Sequence, residues 1–259
     1  MISPSVVSEQ QRRQFVDEGW FLLESVIPQE HLELLRAELQ SGIEAVDRHM
    51  DELGTDVWDI SHRGRRYFIG NVHQTQPRVN EFLFSDLMAD VCRATLGGDV
   101  WHFFNQYVVK AAEVGMTFEW HQDSGYVAKV KSTPHLPYLS CWCTLDDVDE
   151  DNGTVYLLPF SRAGSREVAD HRRLAGSNDL LGYFGDDPGV PVIAPAGSIA
   201  VFSSVLFHRS GPNRTGAPRR VYLAQYSAEP LMQDDPPDLP VQNADPFLRD
   251  GRRVVAVPG

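Results

Sequence analysis

The segment Trp120-His-Gln-Asp123 places an imidazole and a carboxylate two residues apart. Residues i and i+2 of a β-strand point to the same face, so on a strand His121 and Asp123 aim at one point. A third ligand is predicted at His208, which follows an apolar stretch, 202–207, that we interpret as strand. Two histidines and one carboxylate on one face leave coordination positions open, which is typical of oxygen-activating iron(II).

An H-x-D pattern alone occurs by chance in many chains, and the segment after His208 makes it more specific. Ser210 should share the face of His208, and Gly211-Pro-Asn213 starts a turn. We predict a hairpin that closes near residue 214 and brings Arg219 opposite Ser210. A guanidinium beside a hydroxyl suits a carboxylate, so a dicarboxylate could chelate the metal at one end and reach Arg219 at the other.

The region around these residues has the texture of a β-structure. Short β-branched and aromatic runs alternate with turn signals such as Asp151-Asn-Gly153, which favours a barrel or sandwich. The predicted strands are 100–109, 138–145, 154–158, 190–193, 198–202 and 220–226.

Helices are predicted before this β-region. Ser8 caps a helix to Glu18, a strand follows at 20–23, and a long helix begins after Pro28 with a stripe of apolar residues. Ser85 caps another helix that ends near Leu96, and residues 54–80 are predicted to be a long loop. We therefore predict one domain over 1–259, with N-terminal helices at about 8–97, a barrel at about 99–228 and a surface tail at about 229–259.

Charge and cysteine content restrict the partners and the compartment. The formal net charge is −13, from 36 acidic and 23 basic residues, which argues against a nucleic-acid partner. Three cysteines are too few for a disulfide framework, and no apolar run is long enough for a membrane span or a signal peptide. We expect a cytoplasmic protein that acts on a small molecule; the oligomeric state is left open.

Together these motifs resemble the phytanoyl-CoA dioxygenase family of iron(II)/2-oxoglutarate oxygenases. The resemblance rests on Trp120-His-Gln-Asp123, on His208-x-Ser-x-x-Asn213 and on the arginine eleven residues after that histidine, Arg219. It extends to Trp142 and to Leu157-Leu-Pro159, and it covers the chain from about Phe15 to about Glu229.

The resemblance implies a mainly β fold with flanking N-terminal helices, in which a double-stranded β-helix (a jelly-roll barrel) holds the metal in one mouth. It implies that His121, Asp123 and His208 bind iron(II), and that Arg219 and Ser210 bind the far carboxylate of 2-oxoglutarate, with O2 as the other cosubstrate. Two further positions match cosubstrate-facing or inward-facing positions of the family: Trp142 and Gln106. Halogenating relatives lack the carboxylate ligand, so Asp123 favours hydroxylation or another oxidation, and a small biosynthetic intermediate is the expected substrate.

Alternatives for the function and for single motifs are kept beside this interpretation. The same barrel could carry a zinc- or manganese-dependent isomerase or hydrolase, or a binding protein without activity. The acidic run Asp146–Gly153 could be a calcium loop, but its glycine and twelfth position do not fit one, so a connecting turn is preferred. Tyr126, Tyr138 and Phe104 could line a substrate pocket or belong to the core.

Overall fold

The computed structural model describes residues 5–112, 117–173 and 180–254, and these contain helices at the start followed by two facing antiparallel sheets. The helices of the described ranges are α1 (Glu9–Glu18), α2 (Gln29–Leu53), α3 (Val72–Thr75), α4 (Asn80–Leu83), α5 (Asp86–Thr95), α6 (Asp123–Val127) and α7 (Phe160–Ala163), with a 3-10 turn at Pro77–Val79. The strands are β1 (Trp20–Leu23), β2 (Val57–Trp58), β3 (Ser61–His62), β4 (Arg66–Gly70), β5 (Val100–Lys110), β6 (Phe118–His121), β7 (Leu139–Thr144), β8 (Val155–Leu158), β9 (Arg172–Arg173), β10 (Leu180–Leu181), β11 (Val190–Pro191), β12 (Ile199–Ser203), β13 (Phe207–Ser210), β14 (Arg219–Ser227), β15 (Asp245–Arg249) and β16 (Arg252–Arg253).

The N-terminal helices begin where the sequence predicts. Ser8 accepts a hydrogen bond from the backbone N–H of Gln11, whose side chain accepts in return from the backbone N–H of Ser8. This capping box satisfies two N–H groups that the first turn cannot pair internally, and Gly19 ends α1 in the left-handed conformation. Helix α2 buries one apolar stripe that includes Leu35 and Leu39.

Two sheets form the barrel. The larger sheet has the strand order β1-β12-β7-β14-β5-β4-β3-β2, with β15 paired to β5, and the smaller has the order β11-β8-β13-β6. One face of the larger sheet packs against the helices through buried residues such as Cys141 and Tyr222. Its other face, with Trp142 and Leu223, turns toward the smaller sheet. The predicted double-stranded β-helix is thereby confirmed.

The cysteines lie on the helix-packed face as free, buried side chains. Cys141 and Cys143 alternate with Trp142 on β7, so both point away from the barrel interior. The alternation of the strand thus gives the two cysteines a core role.

The predicted long loop at 54–80 is wrong. Strand β4 pairs with β5 over five consecutive positions, from Arg66 opposite Lys110 to Gly70 opposite Gln106, and α3 and the 3-10 turn follow it. The signal was weak because β4 has only five residues and follows a run of arginines. Its pairing comes from the long neighbour β5, which no local pattern reveals.

The apolar stretch before His208 is two strand ends joined by a turn. β12 ends at Ser203, and the backbone N–H of Leu206 donates to the Ser203 carbonyl at 2.9 Å. The chain crosses here from the larger sheet to the smaller one, and a hydrogen bond of 2.7 Å between the buried hydroxyls of Ser124 and Ser204 lies at the crossing.

The hairpin predicted between Ser210 and Arg219 is also wrong. Ser210 lies in β13 of the smaller sheet, opposite Phe118 and Val155, whereas Arg219 lies in β14 of the larger sheet, opposite Lys110. The Asn213 side chain shapes the crossing, because its oxygen accepts from the N–H and hydroxyl of Thr215 while its nitrogen donates to the Ala217 carbonyl. Ser210 and Arg219 therefore face each other across the barrel interior.

The segment after Pro236 is only partly a surface tail. Strand β15 pairs with the first half of β5, and Phe247 and Leu248 are fully buried. No helix in the described part of the chain is long and apolar enough to span a membrane.

The acidic run after β7 is a connecting turn, as preferred. Asp149 accepts from the backbone N–H groups of Asp151 and Asn152, and Asp146 pairs with Arg220. These contacts occupy the carboxylates that a calcium ion would need.

Candidate metal and dicarboxylate site

The fold brings His121, Asp123 and His208 together in the mouth of the barrel. His121 is the last residue of β6 and lies directly opposite His208 of β13. Asp123 is the first residue of the short helix α6 and not a strand residue, so the expected i, i+2 strand geometry is replaced by a strand-to-helix bend. The two elements nevertheless aim both side chains at one point.

The ligand atoms of these three residues lie within 4.8 Å of one another. The Nε2 atom of His208 is 3.5 Å from Oδ1 of Asp123, and the two imidazole rings have centroids 4.2 Å apart. Both histidines are nearly buried, which limits the access of water to the cluster.

Backbone carbonyls fix the orientation of the two imidazoles. Nδ1 of His121 donates to the Glu119 carbonyl at 2.7 Å, and Nδ1 of His208 donates to the Leu206 carbonyl at 3.1 Å. Each Nε2 then carries a lone pair directed at the cluster, as a metal ligand requires. Burial, with a contribution from His208, holds the pKa of His121 well below its usual value, which keeps that imidazole neutral at pH 7.

Two polar side chains of the larger sheet orient Asp123, and neither was predicted from the sequence. Ser140 donates to Oδ2 of Asp123 at 2.5 Å, and Nε2 of Gln225 donates to the same oxygen at 2.9 Å. Ser140 and Gln225 are cross-strand partners in β7 and β14. They leave Oδ1 of Asp123 free toward the histidines.

Gln122, between the two ligands, points the opposite way and anchors the bend. It is fully buried, and Nε2 donates to the carbonyls of Glu167 and Val205 while Oε1 accepts from the N–H of Ala169. The backbone N–H of Gln122 donates to Nε2 of His171 at 3.0 Å. The bend that positions Asp123 is thus fixed by hydrogen bonds from Gln122 to two segments, 167–171 and the one around Val205.

Arg219 is a buried cation without a carboxylate partner among the described residues. Only 1% of it is exposed; Nη2 donates to the Gly153 carbonyl at 3.2 Å, whereas Nε and Nη1 have no hydrogen-bond partner. Burial lowers its pKa to about 10. Unpaired donors on a buried guanidinium are costly, so the arrangement favours an anion as the missing partner.

Ser210 reaches the same region through Lys110. The buried Nζ of Lys110 donates to Oγ of Ser210 at 2.8 Å and to the Gly211 carbonyl, and Lys110 is also the cross-strand neighbour of Arg219. Lys110 is a basic residue of this site that sequence analysis missed, although its spacing of four from Gln106 puts it on the inward face of β5.

A cavity of about 660 Å³ connects the cluster to Arg219. Trp142 and Gln106 both line it, and the guanidinium carbon of Arg219 is 5.5 Å from the centre of the Trp142 ring. The predicted inward face of β5 is correct, and the candidate aromatic residues are on this wall as well: Phe104, Tyr126 and Tyr138.

The residues present fit iron(II) and a dicarboxylate. Two imidazole nitrogens and one carboxylate oxygen supply three ligands on one side and leave the cavity side open. The orphaned nitrogens of Arg219, at the other end of the cavity, fit the second carboxylate of 2-oxoglutarate.

A double-stranded β-helix with two histidines and a carboxylate in its mouth defines the class of non-haem metal oxygenases, and comparison with known proteins narrows it. The family model for phytanoyl-CoA dioxygenase (PhyH) matches residues 15–221, so the chain belongs to the phytanoyl-CoA dioxygenase family. It is a non-haem iron(II) dioxygenase that depends on 2-oxoglutarate and O2.

Curated relatives agree with this class. A probable alpha-ketoglutarate-dependent hypophosphite dioxygenase from Stutzerimonas stutzeri is 24% identical over 85% of this chain and 78% of its own length. An ectoine dioxygenase from Bordetella bronchiseptica is 25% identical over 86% of this chain and 76% of its own.

Solved structures have the same fold. EctD from S. alaskensis, in complex with 2-oxoglutarate and 5-hydroxyectoine, superposes with a TM-score of 0.68 at 20% identity and covers 99% of this chain and 88% of its own. EvdO2 from Micromonospora carbonacea var. aurantiaca, in complex with 2-oxoglutarate, gives 0.66 at 21% identity over 93% and 94%.

Proposed function

We propose that the chain oxidises, most simply by hydroxylation, a C–H bond of a small molecule that has a substantial apolar surface. In this proposal His121, Asp123 and His208 hold the iron, and Arg219 with Ser210 holds the distal carboxylate of 2-oxoglutarate. The orphaned guanidinium nitrogens of Arg219 at the far end of the same cavity carry the proposal, because a zinc- or manganese-dependent hydrolase or isomerase gives them no purpose. The intact set of His121, Asp123 and His208 argues against a binding protein without activity.

Iron(II) with 2-oxoglutarate supplies the activation of O2 when both are bound, with succinate and CO2 as the products of the cosubstrate. The protein's part is orientation and exclusion of water. The carbonyls of Glu119 and Leu206 keep both imidazoles in the tautomer that binds a metal, and Ser140 with Gln225 directs one carboxylate oxygen of Asp123 inward.

The dicarboxylate end of the cavity is built from buried charge. Nε and Nη1 of Arg219 can both donate to a carboxylate. Lys110 donates to the Ser210 hydroxyl oxygen at 2.8 Å, so the hydroxyl hydrogen of Ser210 is also available to that carboxylate. Trp142 packs beside the guanidinium and closes that end against water. We propose that Gln106, on the same wall, contacts the cosubstrate or the substrate.

The other half of the cavity suggests the substrate class. Its wall carries the aromatic rings of Phe103, Phe104, Tyr126 and Tyr138. A volume of about 660 Å³ lies in the range of small-molecule sites. We therefore propose a compact biosynthetic intermediate with a ring or branched apolar part. The free, buried state of the cysteines further supports a reducing, cytoplasmic setting.

A substrate screen tests the proposal. Candidate compounds are incubated with the wild type, iron(II), 2-oxoglutarate and O2, and succinate release is measured. The controls are the wild type without a candidate compound and the Asp123→Ala variant with it. We expect a substrate to raise succinate release many-fold in the wild type and not in Asp123→Ala. Unchanged iron binding and 2-oxoglutarate turnover in Asp123→Ala would refute the assignment, and turnover with zinc but not iron would favour the hydrolase or isomerase alternative.

A further inference from the structure

A second cluster of two histidines and one carboxylate lies outside the active cavity. His73 comes from α3, His102 from β5 and Asp245 from the start of β15, and their ligand atoms are all within 4.8 Å of one another. Oδ2 of Asp245 is 3.5 Å from Nε2 of His73 and 3.1 Å from Nδ1 of His102. Three distant segments of the chain thus converge on one point.

The burial of the cluster suits an ion that enters from solvent. The side chain of His102 is fully buried and that of His73 is 11% exposed, whereas the Asp245 carboxylate is half exposed. The ion pairs recorded for Asp245 within the described ranges are with these two imidazoles, with no lysine or arginine among them. The exposed half of the Asp245 carboxylate gives a divalent cation a path from solvent to the two imidazoles.

Asn105 lies behind the two rings and sets which of their nitrogens carry protons. This side chain is fully buried between the two rings, with Nδ2 2.6 Å from Nδ1 of His73 and 3.1 Å from Nε2 of His102, while its Oδ1 has no hydrogen-bond partner among the residues that the structure describes. A separation of 2.6 Å is short for two nitrogens. Turning the amide by 180° places Oδ1 between the rings, where it accepts an N–H from each imidazole.

That orientation of Asn105 leaves lone pairs on Nε2 of His73 and Nδ1 of His102, both directed at Asp245. An oxygen acceptor behind each ring is the usual support of a metal-bound histidine. Ligand atoms around a tetrahedral zinc ion, with bonds of about 2.0–2.1 Å, lie roughly 3.3 Å apart. The two measured separations, 3.1 and 3.5 Å, fall on either side of that value.

We infer that His73, His102 and Asp245 form a second metal site, distinct from the iron site, which takes Zn²⁺ with a water molecule in the fourth position. Zinc is preferred over iron(II) because nitrogen and oxygen sites bind it more tightly. Among the described residues, moreover, no buried cation stands beside this cluster to hold a dicarboxylate, as Arg219 does at the iron site.

The proposed site joins the C-terminal segment to the cavity wall. Asn243, two residues before Asp245, donates through Nδ2 to the Phe103 carbonyl and to Oδ1 of Asn71. Val241 and Gln242 line the active cavity. A bound ion would therefore stiffen a segment of this wall, with a higher melting temperature as the consequence.

The test uses the full chain in the double variant His121→Ala/His208→Ala, so that its result does not depend on the iron site. Metal-stripped protein is titrated with Zn²⁺ by calorimetry and with Co²⁺ as a visible-absorption probe. We expect one equivalent of each ion, the intense visible bands of four-coordinate Co²⁺, and a higher melting temperature with Zn²⁺. Adding His73→Ala or Asp245→Asn, which change partly exposed side chains, should weaken binding at least 100-fold.

The matched control is His49→Ala in the same double variant, because His49 is a half-exposed histidine of α2 that contacts Glu52 and the Trp58 ring, neither of which belongs to the cluster. It should leave binding unchanged. No bound equivalent in the double variant, or equal affinity after His73→Ala, would overturn the inference. If the double variant does not fold, the wild type serves instead: two equivalents of Zn²⁺ are expected, and one in His73→Ala.

Discussion

Single atoms decide the chemistry of the proposed iron site. Each imidazole has its Nδ1 proton fixed by a carbonyl two residues away, and one oxygen of Asp123 accepts two hydrogen bonds while the other stays free. The ligands themselves were predicted from the sequence, because histidine and aspartate two apart carry a signal. Ser140, Gln225 and Lys110 were not, since isolated polar residues on strands look like many others.

At Arg219, shortening the guanidinium tests the dicarboxylate anchor. Arg219→Lys keeps the charge but loses the bidentate fork, and a charge-assisted hydrogen bond is worth about 1.5–3 kcal/mol. We expect the Kd for 2-oxoglutarate to rise roughly 10- to 150-fold, with iron affinity little changed. Equal 2-oxoglutarate affinity in the variant and the wild type would show that the carboxylate binds elsewhere.

At Gln225, removal of the amide tests the support of Asp123. Losing a hydrogen bond to a metal-bound carboxylate typically costs 10- to 100-fold in metal affinity, so Gln225→Ala should weaken iron(II) binding by about that factor. Ser227→Ala, two residues along β14, is the matched control because the Ser227 hydroxyl has no hydrogen-bond partner within the described part of the chain. Calorimetric titration under nitrogen measures both, and the idea fails if the two variants bind iron alike.

Among the elements, the helices were predicted from local sequence signals, whereas the elements that sequence analysis missed form by pairing with distant strands. Helices α1 and α5 begin at serine caps, and α2 begins after Pro28 and buries an apolar stripe; all three begin within a residue or two of the prediction. Strand β4 and the crossing between β13 and β14 depend on partners far along the chain. Register with a distant strand is a property of the assembled sheet, which is why the predicted hairpin failed.

The turn before β8 tests how an element positions the anchor. Gly153 has φ of 82°, and a Cβ there would lie 2.6 Å from the Gly211 carbonyl oxygen. The carbonyl of Gly153 itself accepts the hydrogen bond from Arg219. Gly164→Ala is the matched control, since Gly164 has φ of 70° and open space around it. Left-handed backbone alone costs about 1–2 kcal/mol for alanine.

We expect Gly164→Ala to lower the free energy of unfolding by that amount without changing 2-oxoglutarate affinity. Gly153→Ala should lower it further and weaken 2-oxoglutarate binding, because the displaced turn carries the acceptor of Arg219. Chemical denaturation and cosubstrate titration measure the two effects. Equal stability and equal affinity in the two variants would contradict this account of the turn.

For the whole molecule, buried histidines predict how stability depends on pH. Burial lowers the pKa of His121 and His102 below the 6.5 of an unfolded chain. Below pH 6.5 the unfolded chain therefore binds protons at these histidines that the folded chain does not bind. The contribution of the two neutral histidines to the free energy of unfolding is thus fully present above that pH and is lost as the pH falls. Each such proton contributes up to about 1.4 kcal/mol per pH unit.

The melting temperature of metal-free protein should accordingly fall between pH 7 and pH 5.5. His102→Gln or His121→Gln should make that fall less steep, because each removes one titrating group. A melting temperature that is flat over this range would contradict the assignment of neutral buried imidazoles.

The organisation into one domain over 1–259 stays a prediction. It is supported by one hydrophobic core cluster that contains both Val7, just before α1, and Leu248 of β15. A single cooperative unfolding transition, observed by fluorescence and by circular dichroism, is the expected result.

The most direct test of the central claim is an anaerobic titration of metal-free wild type with iron(II) and then 2-oxoglutarate, followed by visible absorption. We predict a charge-transfer band that appears only with both, is absent in Asp123→Ala, and needs more 2-oxoglutarate in Arg219→Lys. A wild type that gives no band, or a band that survives Asp123→Ala unchanged, would contradict the assignment of iron to His121, Asp123 and His208.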